Sequence, residues 1–144
     1  MHHIVTDIEV EADPVRIWSI LTDFPSYPEW NPFIRSISGT PSTGSRLEIS
    51  VQPPAGRGMS FQPVVLACVE NRELRWRGGL PVPGLFNGEH YFRIESLAPG
   101  RARFIHGERF SGVLIPFFGK RLDGPIRAGF IEMNQAVKSR AEHE

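Results

Sequence analysis

The sequence predicts an α+β domain in which a curved antiparallel sheet wraps a long C-terminal helix, in the order strand, two short helices, six strands, helix. Three observations predict it. Leu122, Ile126, Phe130, Met133 and Val137 recur at steps of four, four, three and four, one stripe along a helix of about five turns. Lys120, Arg121, Arg127, Glu132, Gln135, Lys138 and Glu142 mostly take its other faces. From Phe33 to that helix the chain shows strand-like segments cut by turn residues and no helical period. The connections between these segments are short, so neighbouring strands pair antiparallel as a meander. A striped helix and a half-apolar sheet bury their apolar surfaces together when the sheet curls around the helix.

At the N-terminus, Ile4, Thr6, Ile8 and Val10 alternate with His3, Val5, Asp7, Glu9 and Glu11, the pattern of a half-buried strand. Asp13 followed by Pro14 reads as an N-cap with a proline at the first helical position, and Val15, Trp18, Ile20 and Leu21 supply the apolar side of that helix. Pro25, Pro28 and Pro32 then alternate with Phe24, Tyr27 and Trp30, which excludes a long helix and predicts a broken second helix or a compact aromatic loop. Strands follow near residues 33–40, 45–52, 59–70, 73–79, 87–97 and 102–111. Pro63 lacks a ladder N–H, so the third of these carries a bulge or bend. Asp123 as N-cap, with Pro125 in the first turn after it, places the start of the main helix near Gly124, with a kinked extra turn before it.

A chain of 144 residues with 40% apolar side chains reads as one domain, residues 1–144. Sixteen basic side chains balance sixteen acidic ones, which argues against nucleic acid as a partner. Cys68 is the sole cysteine, which excludes an intrachain disulfide, and no Cys or His spacing suits a metal site. The first ten residues alternate polar with apolar, and no run approaches the roughly 18 apolar residues of a membrane span. The expectation is a cytoplasmic protein without stable membrane insertion. No serine, cysteine or threonine sits in a nucleophile elbow and no glycine-rich phosphate loop precedes a helix, so no nucleotide or other cofactor is expected.

Residues 13–34, DPVRIWSILTDFPSYPEWNPFI, combine an aspartate-proline helix start with a DF..YPEWNP segment that leads into a strand. Together with FQPVVLACVENRELRW, GEHYFRIESL and HGERFSG, they resemble the START-like helix-grip superfamily (SRPBCC) in its polyketide cyclase/dehydrase branch. The resemblance spans nearly the whole chain. It implies a deep pocket between the curved sheet and the C-terminal helix. Families of this fold bind lipids, hormones, quinones or polyketides, and some catalyse cyclisation, dehydration or hydrolysis; no fixed catalytic motif is carried over.

Successive turns of a meander alternate between the two ends of a sheet. One end receives Pro41 to Gly44, the Asn71-Arg72 turn and Ala98 to Arg101, all compact and wettable. The other receives Pro53 to Gly58, Leu80 to Phe86 and Gly112 to Gly119, which bring Leu80, Val82, Leu85, Phe86, Leu114, Ile115, Phe117 and Phe118 together. Loops ordinarily lie in water, so this apolar end calls for a function. It reads as the entrance of an apolar cavity, as a plug of core side chains, or as a patch for a homodimer, another protein or a membrane surface.

His106 and Glu108 share one face of a strand with Phe104 and Phe110. If that face is concave, a carboxylate points into an apolar cavity and needs a partner, either a cation such as Arg77 or Arg109 or a protonated His90 or His106. If it is convex, both residues are solvated. A one-residue slip near Ala98 to Arg101 separates the two cases. His106, Glu108 and His90 are thus the candidate acid/base groups, while Arg75 and Arg77, alternating with Leu74 and Trp76, are expected to face water. Trp30, Phe33, Met59, Phe61, Trp76, Phe86, Phe92, Phe110, Phe117, Phe130 and Met133 are the candidate ligand-binding walls. The leading reading is binding of a small or medium hydrophobic ligand. A cyclase or dehydratase without metal or nucleotide, and a protein-interaction domain docking by its apolar end, are the alternatives.

Overall fold

A computed structural model of the chain describes residues 2–54, 56–79 and 84–143, and the side chains of all of these except residues 117–122. The elements are β1 (His2–Val10), α1 (Pro14–Thr22), a 3₁₀ turn (Phe24–Ser26), α2 (Tyr27–Trp30), β2 (Ile34–Ser38), β3 (Glu48–Val51), β4 (Met59–Phe61), β5 (Val64–Val69), β6 (Glu73–Gly79), β7 (Asn87–Ala98), β8 (Arg101–Ser111) and α3 (Ile115–His143). All pairings are antiparallel: β1-β8-β7-β6-β5 form one sheet and β2-β3-β4 a smaller one. The strand expected over 59–70 is two strands, because the prolyl nitrogen of Pro63 has no hydrogen to give a ladder. Gln62 and Pro63 turn the chain from the small sheet into the large one, so among the described residues seven strands follow the two short helices where six were expected. Residues 44–47 stitch the sheets together through Gly44 N–H to the Val65 carbonyl, Val65 N–H to Ser45 and Leu47 N–H to Pro63.

Helix α1 begins where Asp13-Pro14 predicts, with the Asp13 backbone carbonyl accepting from Arg16 and Ile17. The Asp13 carboxylate does not cap it. That carboxylate accepts the Gly100 N–H at 2.7 Å instead, pinning the β7–β8 turn to the helix start. Ile17, Ile20 and Leu21 are the buried residues, while Val15, expected on the apolar side, faces solvent. The proline-rich stretch is a broken helix, held by the Tyr27 hydroxyl donating to the Leu21 carbonyl at 2.7 Å.

Helix α3 begins at Ile115, earlier than the expected start near Gly124. Pro116 lies in its first turn, where a missing N–H costs little, and Pro125 falls inside the helix. Asp123 is consequently no N-cap; its carboxylate meets Arg127 one turn on and the His2 ring at 3.2 Å. The expected stripe is buried at Ile126, Phe130, Met133 and Val137, and Ala141 extends it, whereas the Leu122 side chain lies outside the described residues.

Candidate functional site

Register sorts the concave face of the large sheet into rows of side chains across β6, β7, β8 and β1. Gly78, Gly88, Phe110 and His2 form the first; Trp76, His90, Glu108 and Ile4 the second; Leu74, Phe92, His106 and Thr6 the third. Between the first two rows, the small sheet and α3 lies a cavity of about 550 Å³. Phe33, Ile34, Ile49, Val51, Met59, Ser60, Phe61, Pro63, Trp76, Gly78, Gly79, Phe86, Gly88, His90, Glu108, Phe110 and Ile126 line it.

Local structure places these walls. Asn31 Oδ1 accepts the N–H groups of Phe33 and Ile34 at 2.9 and 2.8 Å, an Asx turn that launches β2 and aims Phe33 inward. Gly129 on α3 makes room for that ring, since a Cβ there would overlap it. Gly88 does the same for the Glu108 carboxyl, and Gly78 for Pro63. Met59 and Phe61 line the cavity yet stay 42% and 37% exposed, so β4 is its wall toward solvent. The Val113 and Leu114 N–H groups bond the Gly84 and Leu85 carbonyls, joining the two apolar segments beside Phe86.

Of the sequence-expected walls, Phe33, Met59, Phe61, Trp76, Phe86 and Phe110 line the cavity. Phe92, Phe130 and Met133 do not: they are fully buried in the packed core, where Phe92 stacks with Phe104 at 5.7 Å and Phe130 with the His106 ring at 3.9 Å. Trp30 packs edge-on to Tyr27 and borders a separate shallow cleft with Arg16, Ser19, Asp23 and Arg140. The Phe117 side chain, with Leu80 and Val82, lies outside the described residues. Sequence reasoning missed Ile34, Ile49, Val51, Ser60, Pro63, Gly78, Gly79, Gly88 and Ile126. Gly78 opposite Gly88 was a signal, because glycines inside strands mark a place where something else comes close.

The face carrying His90, His106 and Glu108 is the concave one. Arg77 and Arg109 lie on the opposite, exposed face, so neither is the partner of Glu108. That partner is His90, whose Nδ1 lies 3.3 Å from Glu108 Oε1. His90 Nε2 lies 2.8 Å from His106 Nε2, His106 Nδ1 lies 3.0 Å from Asn134 Oδ1, and Asn134 Nδ2 donates to Thr6 Oγ1 at 2.8 Å. The Thr6 hydroxyl in turn donates to the His106 carbonyl at 2.9 Å.

One assignment of hydrogens satisfies every pair along this network. The Thr6 hydrogen is committed to the His106 carbonyl, so Thr6 accepts from the Asn134 amide nitrogen and Asn134 Oδ1 faces His106. His106 therefore carries its hydrogen on Nδ1 and accepts at Nε2 from His90 Nε2–H. Burial, reinforced by the neighbouring His90, pushes the His106 pKa well below 6.5 against the hydrogen bonds to Asn134 and Phe130, keeping the ring neutral. A hydrogen bond between His90 Nδ1 and Glu108 Oε1 requires one further hydrogen, carried by one of the two. It belongs either to an imidazolium facing a carboxylate or to a carboxylic acid donating to a neutral ring. Among the described residues no group of three or more His, Cys, Asp or Glu is placed to hold a metal ion. What the arrangement offers is an apolar chamber with one acid/base pair in its floor.

Asn134 and Thr6 were not among the candidates. Asn134 stands four residues after Phe130 and three before Val137, a polar residue on the buried stripe, which is the signal that marks it.

A family model described as polyketide cyclase / dehydrase and lipid transport matches residues 1–142. Solved structures of the same fold include a START superfamily protein from Mycobacterium smegmatis, 24% identical with a TM-score of 0.77, covering 99% of this chain and 98% of that one. The Zhui aromatase/cyclase from Streptomyces sp. R1128 is 16% identical with a TM-score of 0.78, covering 97% and 93%. The di-domain aromatase/cyclase StfQ from the steffimycin biosynthetic pathway is 13% identical with a TM-score of 0.71, this chain matching 50% of its length. No curated protein matches by sequence. No described helix is long and apolar enough to cross a membrane. With the helix-grip architecture in hand and a family model that runs from end to end, this chain belongs to the polyketide cyclase / dehydrase and lipid transport family.

Proposed function

We propose that this chain binds a small to medium apolar molecule in the chamber between the curved sheet and α3, with Glu108, backed by His90, meeting the ligand's polar end. The observation that carries the reading is the chamber. Its volume of about 550 Å³ lies within the roughly 300–1,000 Å³ typical of small-molecule pockets, and its walls are aliphatic and aromatic apart from Ser60, His90 and Glu108. Native mass spectrometry of the purified protein, followed by a thermal-shift panel of fatty acids, quinones, flavonoids and polyketide aromatics, tests it. A ligand at a hundredfold excess over its Kd stabilises the fold by about 2.7 kcal/mol. For a domain of this size that raises Tm by roughly 5–10 °C. No co-purifying mass and no shift across the panel ends the reading.

The Glu108–His90 pair favours a second reading, a cyclase or dehydratase that moves protons on an aromatic or polyketide-like substrate. Its test is product formation from such a substrate. Glu108→Gln and His90→Gln should then abolish turnover while leaving substrate affinity within a few-fold; turnover that survives both changes removes the enzymatic reading.

A further inference from the structure

Resting on the ligand-binding reading, we propose that the floor of the chamber selects apolar ligands bearing a neutral hydrogen-bond donor, a phenolic, enolic or alcoholic hydroxyl, and discriminates against carboxylate-headed ligands such as fatty acids. The argument is which atom of Glu108 faces the ligand and what that atom can do.

Glu108 Oε1 is engaged with His90 Nδ1, while Oε2 lies over Gly88 at the cavity wall. The hydrogen on the Glu108–His90 line has two places to be. If it is on His90, Glu108 is a carboxylate and Oε2 carries only lone pairs. If it is on Glu108, it must sit on Oε1 to reach Nδ1, and Oε2 is then the carbonyl oxygen of the acid. In both states Oε2 accepts and does not donate. The chain through His106, Asn134 and Thr6 removes the remaining freedom, because it commits His90 Nε2–H to His106 and leaves His90 no hydrogen to turn toward the chamber.

The charge balance leads to the same selection. In either state the pair offers no net positive charge, and none of the described lining residues is a lysine or arginine. A ligand carboxylate would be desolvated with no cation to meet it and with its lone pairs against those of Oε2, an uncompensated burial of charge. A ketone or ether oxygen at that point also faces lone pairs. A hydroxyl donates to Oε2 and satisfies it.

Three ligands of one shape test this without any variant: a hydroxyanthracene, its methyl ether and the carboxylate on the same ring carbon, each titrated into the whole protein by its own fluorescence. The hydroxy compound should bind at least tenfold tighter than the carboxylate and at least several-fold tighter than the ether. Glu108→Leu should erase the advantage over the ether while keeping ether affinity within a few-fold, and circular dichroism confirms that the variant is folded. Equal or tighter binding of the carboxylate in the wild-type protein overturns the selection rule and leaves the ligand-binding reading standing. Binding of none of the three overturns both.

Discussion

Two ends of one helix border very different interiors. At Ile126, α3 faces the chamber and the row formed by Gly78, Gly88 and Phe110; one turn later, at Phe130 and Met133, it is locked into the row of Leu74, Phe92 and His106 with no exposed surface. The row between them, Trp76, His90 and Glu108, is the boundary, with the His90 ring stacked on Trp76 at 5.0 Å. Both ends are built from the same residue types, so hydrophobicity does not separate hollow from solid. What separates them is subtraction: two glycines opposite each other let Pro63 and the Glu108 carboxyl lie against the sheet where side chains would stand, and the cavity opens beside them. The polar network begins at the seam, where His90 and Glu108 open on the cavity, and runs into the packed row through His106, Asn134 and Thr6.

The largest effect that sharpens this contrast is Phe130→Ala. A fully buried ring stacked on His106 should cost about 3–5 kcal/mol, read as a fall in urea midpoint at unchanged m. A loss below about 1 kcal/mol would mean that the packed end is not packed. Next is Asn134→Leu, which keeps the branched shape but strips Thr6 and His106 of their partner. It should cost about 1–3 kcal/mol, since buried polar groups are left unpaired, and Asn134→Asp should not restore the network because Thr6 then loses its donor. A Leu variant as stable as the wild type would remove Asn134 from the seam.

Much of this was readable beforehand. The element order, the antiparallel pairing, an irregularity at Pro63 and the shared face of His106 and Glu108 all follow from local chemistry: proline without a donor, a side-chain period of two, short connections. Which face was concave was not readable, because one residue of slip in the β7–β8 turn inverts it and only long-range pairing fixes the slip. The same limit explains why Phe92, Phe130 and Met133 were grouped with Phe33 and Phe61. An apolar side chain looks alike in sequence whether it fills space or surrounds it. The early start of α3 escaped for another reason: Pro125 reads as the opening, whereas the helix begins at Ile115, a member of the core cluster, with Pro116 in its first turn.

The seam also predicts a pH response. His106 is neutral in the fold with its pKa well below 6.5, whereas in the unfolded chain it titrates near that value. Below about 6.5 the unfolded state therefore binds the extra proton, and stability falls as pH falls, by up to roughly 1.4 kcal/mol per unit. His3, shifted down mainly by partial burial, adds in the same direction but is largely exposed. Glu73, Asp123 and Glu142, also shifted down, contribute their loss only at lower pH, below about 4.5. Urea midpoints between about pH 5 and 6.5 should thus slope in the wild type and flatten in His106→Gln. Equal slopes would place the proton uptake elsewhere.

The smallest expected stability change tests the hollow end most directly. Phe61 lines the chamber on β4 and stays more than a third exposed, so losing its ring gives up less buried surface than losing the fully buried Phe130. Phe61→Ser should cost about 1 kcal/mol, well below the loss from a fully buried ring. The same change removes an aromatic wall from any occupant, so ligand affinity should fall several-fold while the urea midpoint moves little. Phe130→Ala predicts the inverse pattern, a large midpoint shift, because that ring touches core and not cavity. If Phe61→Ser unfolds the protein as Phe130→Ala does, β4 is closing a core, and the distinction between the two ends of α3 disappears with it.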